Sequence, residues 1–178
     1  NPLCLALSPI ALLVVLGYSY TKRFTALCHL MLGLGLALAP IGAYLAVSGE
    51  FNIIPLLFSA AVLFWVSGFD IIYSLQDQEF DKKQKLHSIP VLIGKKNALN
   101  LSNLLHFLTF SALSIAGSLG GFSLYYWIGF WSFSALLVYQ HTLVKHNDLS
   151  KVNLAFFTTN GIASLIFGAF VIADLLLK

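Results

Sequence analysis

Nearly unbroken hydrophobic stretches at residues 3–20, 26–47, 53–72, 98–119, 122–139 and 154–177 divide the chain into six runs. Each is long enough to cross ~30 Å of hydrocarbon as a helix rising ~1.5 Å per residue. The strands of a membrane barrel would alternate apolar and polar positions, which these runs do not do. Three breaks are short: TKRFT, SGEFN and the Gly120–Gly121 turn. Two connections are longer and polar, 73–97 and 140–153, and long polar loops in a compact bundle are where function concentrates. The pattern predicts an all-α polytopic membrane protein with six transmembrane helices, a single transmembrane domain over residues 1–178.

Composition agrees: 58% of residues are hydrophobic and 10% charged, which excludes both a soluble globular domain and a disordered chain. A lipid bilayer is the expected surroundings, and no nucleic-acid partner is expected. Charge adds direction. If TKRFT faces the cytoplasm, that side carries Lys22, Arg23, Lys82, Lys83, Lys85, Lys95, Lys96, Lys145 and Lys151, leaving only Lys178 opposite. The first run then starts on the outer side, so an odd number of spans should precede it. Together with an opening Asn1 that is not an initiator Met, this reads as an N-terminally truncated piece of a longer protein.

The chemistry is concentrated in the aspartate-rich segment 73–97, read as a cytoplasmic loop, and in the end of the run before it. Of seven acidic residues, Asp70, Asp77, Glu79 and Asp81 fall within twelve positions. On a continuous helix Asp70, Asp77 and Asp81 would lie within about 40° of one another, with Tyr73 about 60° from Asp70. Carboxylates on one face repel unless a cation sits between them, and an all-oxygen set suits Mg²⁺; the alternative is a solvated acidic loop beside Lys82, Lys83 and Lys85. Asp70 favours the first reading, because an unpaired charge at the end of an apolar span is costly. In YSYTKRF, Tyr18 and Lys22 are four apart and Arg23 adjoins them. Alone they read as an interfacial anchor; beside a Mg²⁺ site they are the groups a diphosphate needs.

The segment GFDIIYSLQDQEFDKKQKLHSIPVLIGKK resembles the second aspartate-rich motif of the UbiA superfamily of intramembrane prenyltransferases, in its 4-hydroxybenzoate polyprenyltransferase branch. The pattern D-x-x-Y-x-x-x-D-x-x-x-D with a downstream Ser falls on Asp70, Tyr73, Asp77, Asp81 and Ser88. YSYTKRF is similar to the family's Y-x-x-x-K-R element, and NDLSKVNLAFFTTNG resembles the start of its last helix. The resemblance implies that the six runs are helices 4 to 9 of a nine-helix bundle, and that the missing N-terminal helices carry the family's first aspartate motif. It implies Mg²⁺-dependent transfer of a polyprenyl group from its diphosphate to an aromatic acid acceptor, 4-hydroxybenzoate or a related quinone precursor of ubiquinone or menaquinone biosynthesis. The site would face the cytoplasm from a bacterial inner membrane. Asp77 and Asp81 would hold the metal and Asp70 would assist catalysis. Tyr18, Lys22 and Arg23 would contact the diphosphate, with Tyr73 and Ser88 as further substrate contacts.

Two other classes fit less well. A transporter would place its ion site near the bilayer midplane, whereas these carboxylates sit at an edge. A CDP-alcohol phosphotransferase would need a D-G-x-x-A-R element, which is absent. Elsewhere, His106 with Asn100 and Asn103 reads as an interhelical hydrogen-bonding group or a cavity lining. Asn153, Asn160 and Ser164 are expected on one face of the last run, Asp174 at the outer interface, and Cys4 and Cys28 unbridged. His87 suits a Mg²⁺ site poorly. Gly33 with Ala37 and Gly35 with Ala39 are expected to allow close helix packing.

Overall fold

A computed structural model describes residues 1–177. The chain is helical almost throughout: α1 (Pro2–Gly17) runs into a 3₁₀ turn (Tyr18–Arg23), followed by α2 (Cys28–Ser48), α3 (Ile53–Ser74), a short α4 (Gln78–Lys83), α5 (Ile89–Leu119) and α6 (Leu124–Leu143). A π-helical stretch (Leu154–Thr159) then leads into α7 (Asn160–Leu177). Among the described residues five helices are long and apolar enough to cross a membrane: Pro2–Arg23, Cys28–Ser48, Ile53–Ser74, Ile89–Leu119 and Leu154–Leu177. The remaining run forms α6, where Ser132, Ser134, Gln140 and His141 dilute the apolar character over its 20 residues. Lys178 lies outside the described residues.

Local signals set the boundaries. Gly49, at φ 71°, ends α2 in the left-handed conformation that glycine adopts without strain, and the Asn52 side chain accepts from the Ile54 N–H to start α3. Ser88 precedes α5 and Pro90 occupies its first turn, so this helix begins nine residues before the apolar run expected there. Gly94, at φ 79° and ψ 161°, interrupts it, so α5 is a short entry turn joined at an angle to a long helix. The segment 73–97 therefore contains α4 and the first turns of α5 between its irregular residues.

α3 is the spine, packed against α2 on one side and α5 on the other, while α6 packs on α7. Close approach of α2 is made possible by Gly33, where a Cβ would fall 2.5 Å from the Leu63 carbonyl oxygen, and by the buried Ala37. Gly35 has no neighbour within 4 Å, and Ala39 lines an open cavity, so that second pair is not a packing contact. The opposite face of α3 meets α5 through Gly68, where a Cβ would overlap the His106 ring, and Ser102 Oγ donates to the Gly68 carbonyl at 2.7 Å. One hydrophobic cluster joins α3, α5 and the 143–155 region around Ile71, Ile72, Leu105 and Val152. A second, built on Tyr126, Phe130, Phe133 and Ala163, fills the other end.

The TKRFT break and the two longer polar connections, 73–97 and 140–153, gather at one end. His87 N–H donates to the Lys22 carbonyl, and Tyr73 stacks on Phe156 with centroids 4.3 Å apart. At the other end Asn1 Nδ2 donates to the Leu45 carbonyl at 2.6 Å. There Asp174, expected at an interface, is instead fully buried: its carboxylate accepts from the Ser123 hydroxyl and from the N–H groups of Ser123 and Tyr126, capping α6.

The two glycines on α2 give a direct test of this packing. Gly33→Ala drives a Cβ into backbone that cannot yield and should cost about 1–3 kcal/mol in unfolding measured in detergent micelles, while Gly35→Ala should stay within about 0.5 kcal/mol of the unmodified protein.

Candidate functional site

The acidic cluster does not lie on one continuous helix. α3 ends at Ser74, the chain turns through Leu75 and Gln76, and Asp77 stands at the N-terminus of α4. The 100° register that would align Asp70 with Asp77 and Asp81 is broken there. Asp77 and Asp81 keep theirs across one turn, with Asp81 N–H donating to the Asp77 carbonyl at 2.8 Å.

α4 closes with a tight turn in which Lys85, at φ 55°, takes the left-handed conformation. The Lys85 N–H then reaches the Lys82 carbonyl at 3.2 Å and the Leu86 N–H the Asp81 carbonyl at 2.9 Å. This reversal sends the chain back to the 3₁₀ turn, where His87 N–H donates to the Lys22 carbonyl at 2.8 Å. The result is an ion pair: Lys22 Nζ lies 2.8 Å from Asp81 Oδ1, with the Asp81 side chain 0% and Lys22 31% exposed. The contact is ionic, off the directed hydrogen-bond geometry, and Asp81 Oδ2 meets no hydrogen-bond donor among the described residues. A buried carboxylate oxygen without a donor is costly, and such an atom in a native fold calls for a missing partner.

Asp70 is held separately. Its Oδ2 lies 2.6 Å from His29 Nδ1, and His29 Nε2 accepts from the Ile89 N–H at 3.3 Å. Because Nε2 accepts, the ring proton is on Nδ1 and donates to Asp70. His29 thus links the end of α3 to the first residue of α5. The sequence reading passed over it; the available signal was a single imidazole near the start of an otherwise apolar span.

Asp77 is half-buried between these anchors. Burial raises its carboxyl above the ordinary carboxylate value, Lys22 pulls it back down, and the charges of Asp81 and Asp70 push it up. All three charged groups therefore act on one neighbourhood. Among the described residues no three His, Cys, Asp or Glu side chains converge as a ready-formed metal cage. The pair Asp77 and Asp81, with the free Oδ2 of Asp81, nevertheless fits a hard divalent cation that draws its other ligands from water and phosphate.

The remaining expected residues are placed as follows. Tyr18 is exposed, and Arg23 stands 5.5 Å over the Tyr20 ring. Ser88 is fully buried with its hydroxyl unpartnered. Tyr73 contacts Phe156 and Phe157, and the π-helical stretch is what turns these two consecutive phenylalanines toward α3. The same stretch breaks the expected register of the last run: Asn153 is exposed, whereas Asn160 is buried and its Oδ1 accepts from Trp65 Nε1 at 3.2 Å. Asn160 lines a cavity of ~480 Å³ between α2, α3 and α7 whose walls include Trp65, Phe69, Phe156 and Phe157. His87 is exposed and the two cysteines are unbridged.

A family model described as the UbiA prenyltransferase family matches residues 1–162. The chain is 30% identical over 173 residues to a 4-hydroxybenzoate octaprenyltransferase of Tolumonas auensis, covering 97% of this chain and 60% of that protein. It is 32% identical over 177 residues to the Aeromonas hydrophila protein of the same name, covering 97% of this chain and 60% of the relative. The apo structure of a UbiA homolog from Aeropyrum pernix K1 superposes with a TM-score of 0.85 at 31% identity, over 96% of this chain and 64% of that one. The chain thus spans about 60% of the length of the curated relatives it matches.

The Lys22–Asp81 pair makes two linked predictions. Lys22→Met should destabilise the protein by on the order of 2 kcal/mol, and much less in an Asp81→Asn background, where no buried charge is orphaned. It should also move the Asp77 carboxyl titration, followed by infrared spectroscopy with Asp77→Asn as the assignment control, further upward. Since Asp77 holds its proton to higher pH in the folded than in the unfolded chain, its contribution to stability is full below the ordinary carboxylate value and is lost as pH rises through the raised one.

Proposed function

The chain belongs to the UbiA prenyltransferase family, and we propose that the protein carrying it transfers a polyprenyl group from its diphosphate to an aromatic acid of the 4-hydroxybenzoate type. The observation that carries the reading is the buried Asp81, paired through one oxygen to Lys22 and left with the other free. That arrangement supports a site for a metal–diphosphate headgroup at the polar end of the bundle.

Asp77 and Asp81 are the proposed holders of Mg²⁺, which when bound supplies positive charge against the departing diphosphate. Lys22 is already held at the Asp81 carboxylate and would extend its ammonium charge to the phosphate oxygens, with Tyr18 and Arg23 beside it on the same 3₁₀ turn. Asp70, oriented by His29, would steer the acceptor or take its proton. Phe69 and Phe156 line the apolar cavity and Tyr73 packs on Phe156, and such aromatic rings would stabilise an allylic cation as the carbon–oxygen bond breaks. The cavity between α2, α3 and α7 would take the isoprenoid tail. The clustering of Lys and Arg at this end supports a cytoplasmic site in an inner membrane.

Prenyl transfer by the protein reconstituted in liposomes with polyprenyl diphosphate, 4-hydroxybenzoate and Mg²⁺ tests the reading. Asp77→Asn or Asp81→Asn should lower turnover about 100-fold or more, consistent with ~3 kcal/mol of lost transition-state stabilisation. Lys22→Ala should raise KM for the diphosphate with little change for the aromatic acid. Near-normal turnover of either aspartate variant would remove these residues from the site.

A further inference from the structure

Between α5 and α6 lies a crevice of ~540 Å³ lined, among the described residues, by these two helices alone, so it lies apart from the cavity between α2, α3 and α7. Its walls are Phe107, Phe110, Trp131 and Val138, and its polar floor is Asn103, His106 and His141. Hydrogen bonding fixes what that floor offers. His106 Nε2 faces the Trp65 carbonyl at 3.3 Å and must donate to it, so with both rings neutral His106 Nδ1 accepts from His141 Nε2 at 2.8 Å. That leaves His141 Nδ1 as a lone-pair acceptor with no hydrogen-bond partner among the described residues. Asn103 spends an amide hydrogen on the Leu99 carbonyl at 3.1 Å, leaving its oxygen as a second acceptor. Two acceptors in an aromatic cleft call for a ligand that donates, such as a hydroxyl on a planar ring.

The crevice opens onto a polar cleft of ~300 Å³ that shares Asn103 and His141 and adds Lys96, Asn100, Lys145 and His146. The nearby acid, Asp148, stays anionic, because hydrogen bonds from the Ser150 hydroxyl, at 2.7 Å, and backbone N–H, together with the charges of Lys151 and Lys145, hold its carboxyl below its ordinary value. Lys96 and Lys145 outnumber this one carboxylate. The mouth is therefore net positive and suits an anionic group. An acceptor floor, a cationic mouth and an apolar wall facing lipid together specify an amphipathic hydroxy-aromatic acid.

We propose that this α5–α6 crevice is a second binding site, for an aromatic acid bearing a phenolic hydroxyl and an isoprenoid tail. The hydroxyl would donate to His141 Nδ1, the carboxylate would face Lys96 and Lys145, and the tail would lie along Phe107, Phe110 and Trp131. Under the function proposed above, on which the choice of tail rests, this is the chemistry of the product, and the crevice is where it rests on the lipid side after transfer.

The probe is 3-geranyl-4-hydroxybenzoic acid, titrated against the protein in phosphatidylcholine nanodiscs and read by quenching of Trp131 fluorescence. Saturable quenching should appear and should vanish in Trp131→Phe. Lys145→Gln, at an exposed position, should weaken the acid about tenfold but leave its methyl ester unaffected, and His141→Gln should weaken both about tenfold. Quenching that persists in Trp131→Phe, affinity unchanged by both other variants, or displacement by phosphatidylglycerol at equal mole fraction would overturn the proposal, the last by marking an anionic lipid site. Asp81→Asn separates the two readings: lost transfer with retained quenching upholds both, retained transfer strikes the metal-site assignment alone, and absence of Trp131-dependent quenching in the unmodified protein while its transfer proceeds strikes the crevice alone.

Discussion

A carboxylate with none of its surface exposed, at the edge of an apolar bundle, must meet a cation or be neutralised, and Asp81 meets Lys22. Much of the polar end follows from that requirement. Lys22 reaches Asp81 because α1 tightens into a 3₁₀ turn after Gly17. α4 presents Asp81 inward because the left-handed Lys85 reverses the chain at once, and the reversal is secured when His87 donates to the Lys22 carbonyl. The pair and the backbone bond thus link the same two segments, one through side chains and one through main chain. The entry to α5 is set by the same reversal, with Ser88 and Pro90 immediately following.

The pair also explains why the adjacent helices carry polar groups at depth. A bilayer gives no water to satisfy them, so each must find a partner inside the bundle. α3 accomplishes this on both faces. Toward α2, Ser67 Oγ donates to the His29 carbonyl at 3.1 Å and Asp70 receives the His29 proton; toward α5, the Gly68 carbonyl takes the Ser102 hydroxyl and the Trp65 carbonyl takes His106. Small residues at the crossings let these short contacts form. The spine is consequently held by directed bonds as well as by shape.

Much of this architecture was legible in the sequence because its causes are local. Continuous apolar runs specify helices, and the D-x-x-Y-x-x-x-D-x-x-x-D spacing with YSYTKRF specified the family and drew attention to Lys22 and Asp81. What was not legible depends on breaks in periodicity or on distant partners. The turn after Ser74 defeats a register carried from Asp70 to Asp77, and the π-helical stretch does the same between Asn153 and Asn160. His29 is unremarkable in its own segment and gains meaning only from Asp70, 41 positions away, and Ile89, 60 away. Asp174 looked interfacial because the α6 N-terminus it caps lies 51 residues earlier.

The two polar regions of the bundle are opposite in character, and this bears on how a reaction would run through it. At the acidic end the charged unsatisfied atom among the described residues is a carboxylate oxygen of Asp81, which seeks positive charge; between α5 and α6 the unsatisfied atoms are uncharged acceptors, which seek a hydroxyl. A group bearing a diphosphate finds its compensation only where a cation can sit between it and Asp77 and Asp81. Under the proposed function, once the diphosphate is gone what remains is an aromatic acid on an apolar chain, whose carboxylate is repelled by Asp70, Asp77 and Asp81 and attracted by Lys22, which is already paired with Asp81. The cationic mouth beside Lys96 and Lys145 has the reverse preference. Under that function, loss of the diphosphate removes the group that a cation would bridge to Asp77 and Asp81, while the product keeps a carboxylate that those residues repel and Lys96 and Lys145 attract, which would favour its release from the carboxylates toward the α5–α6 mouth.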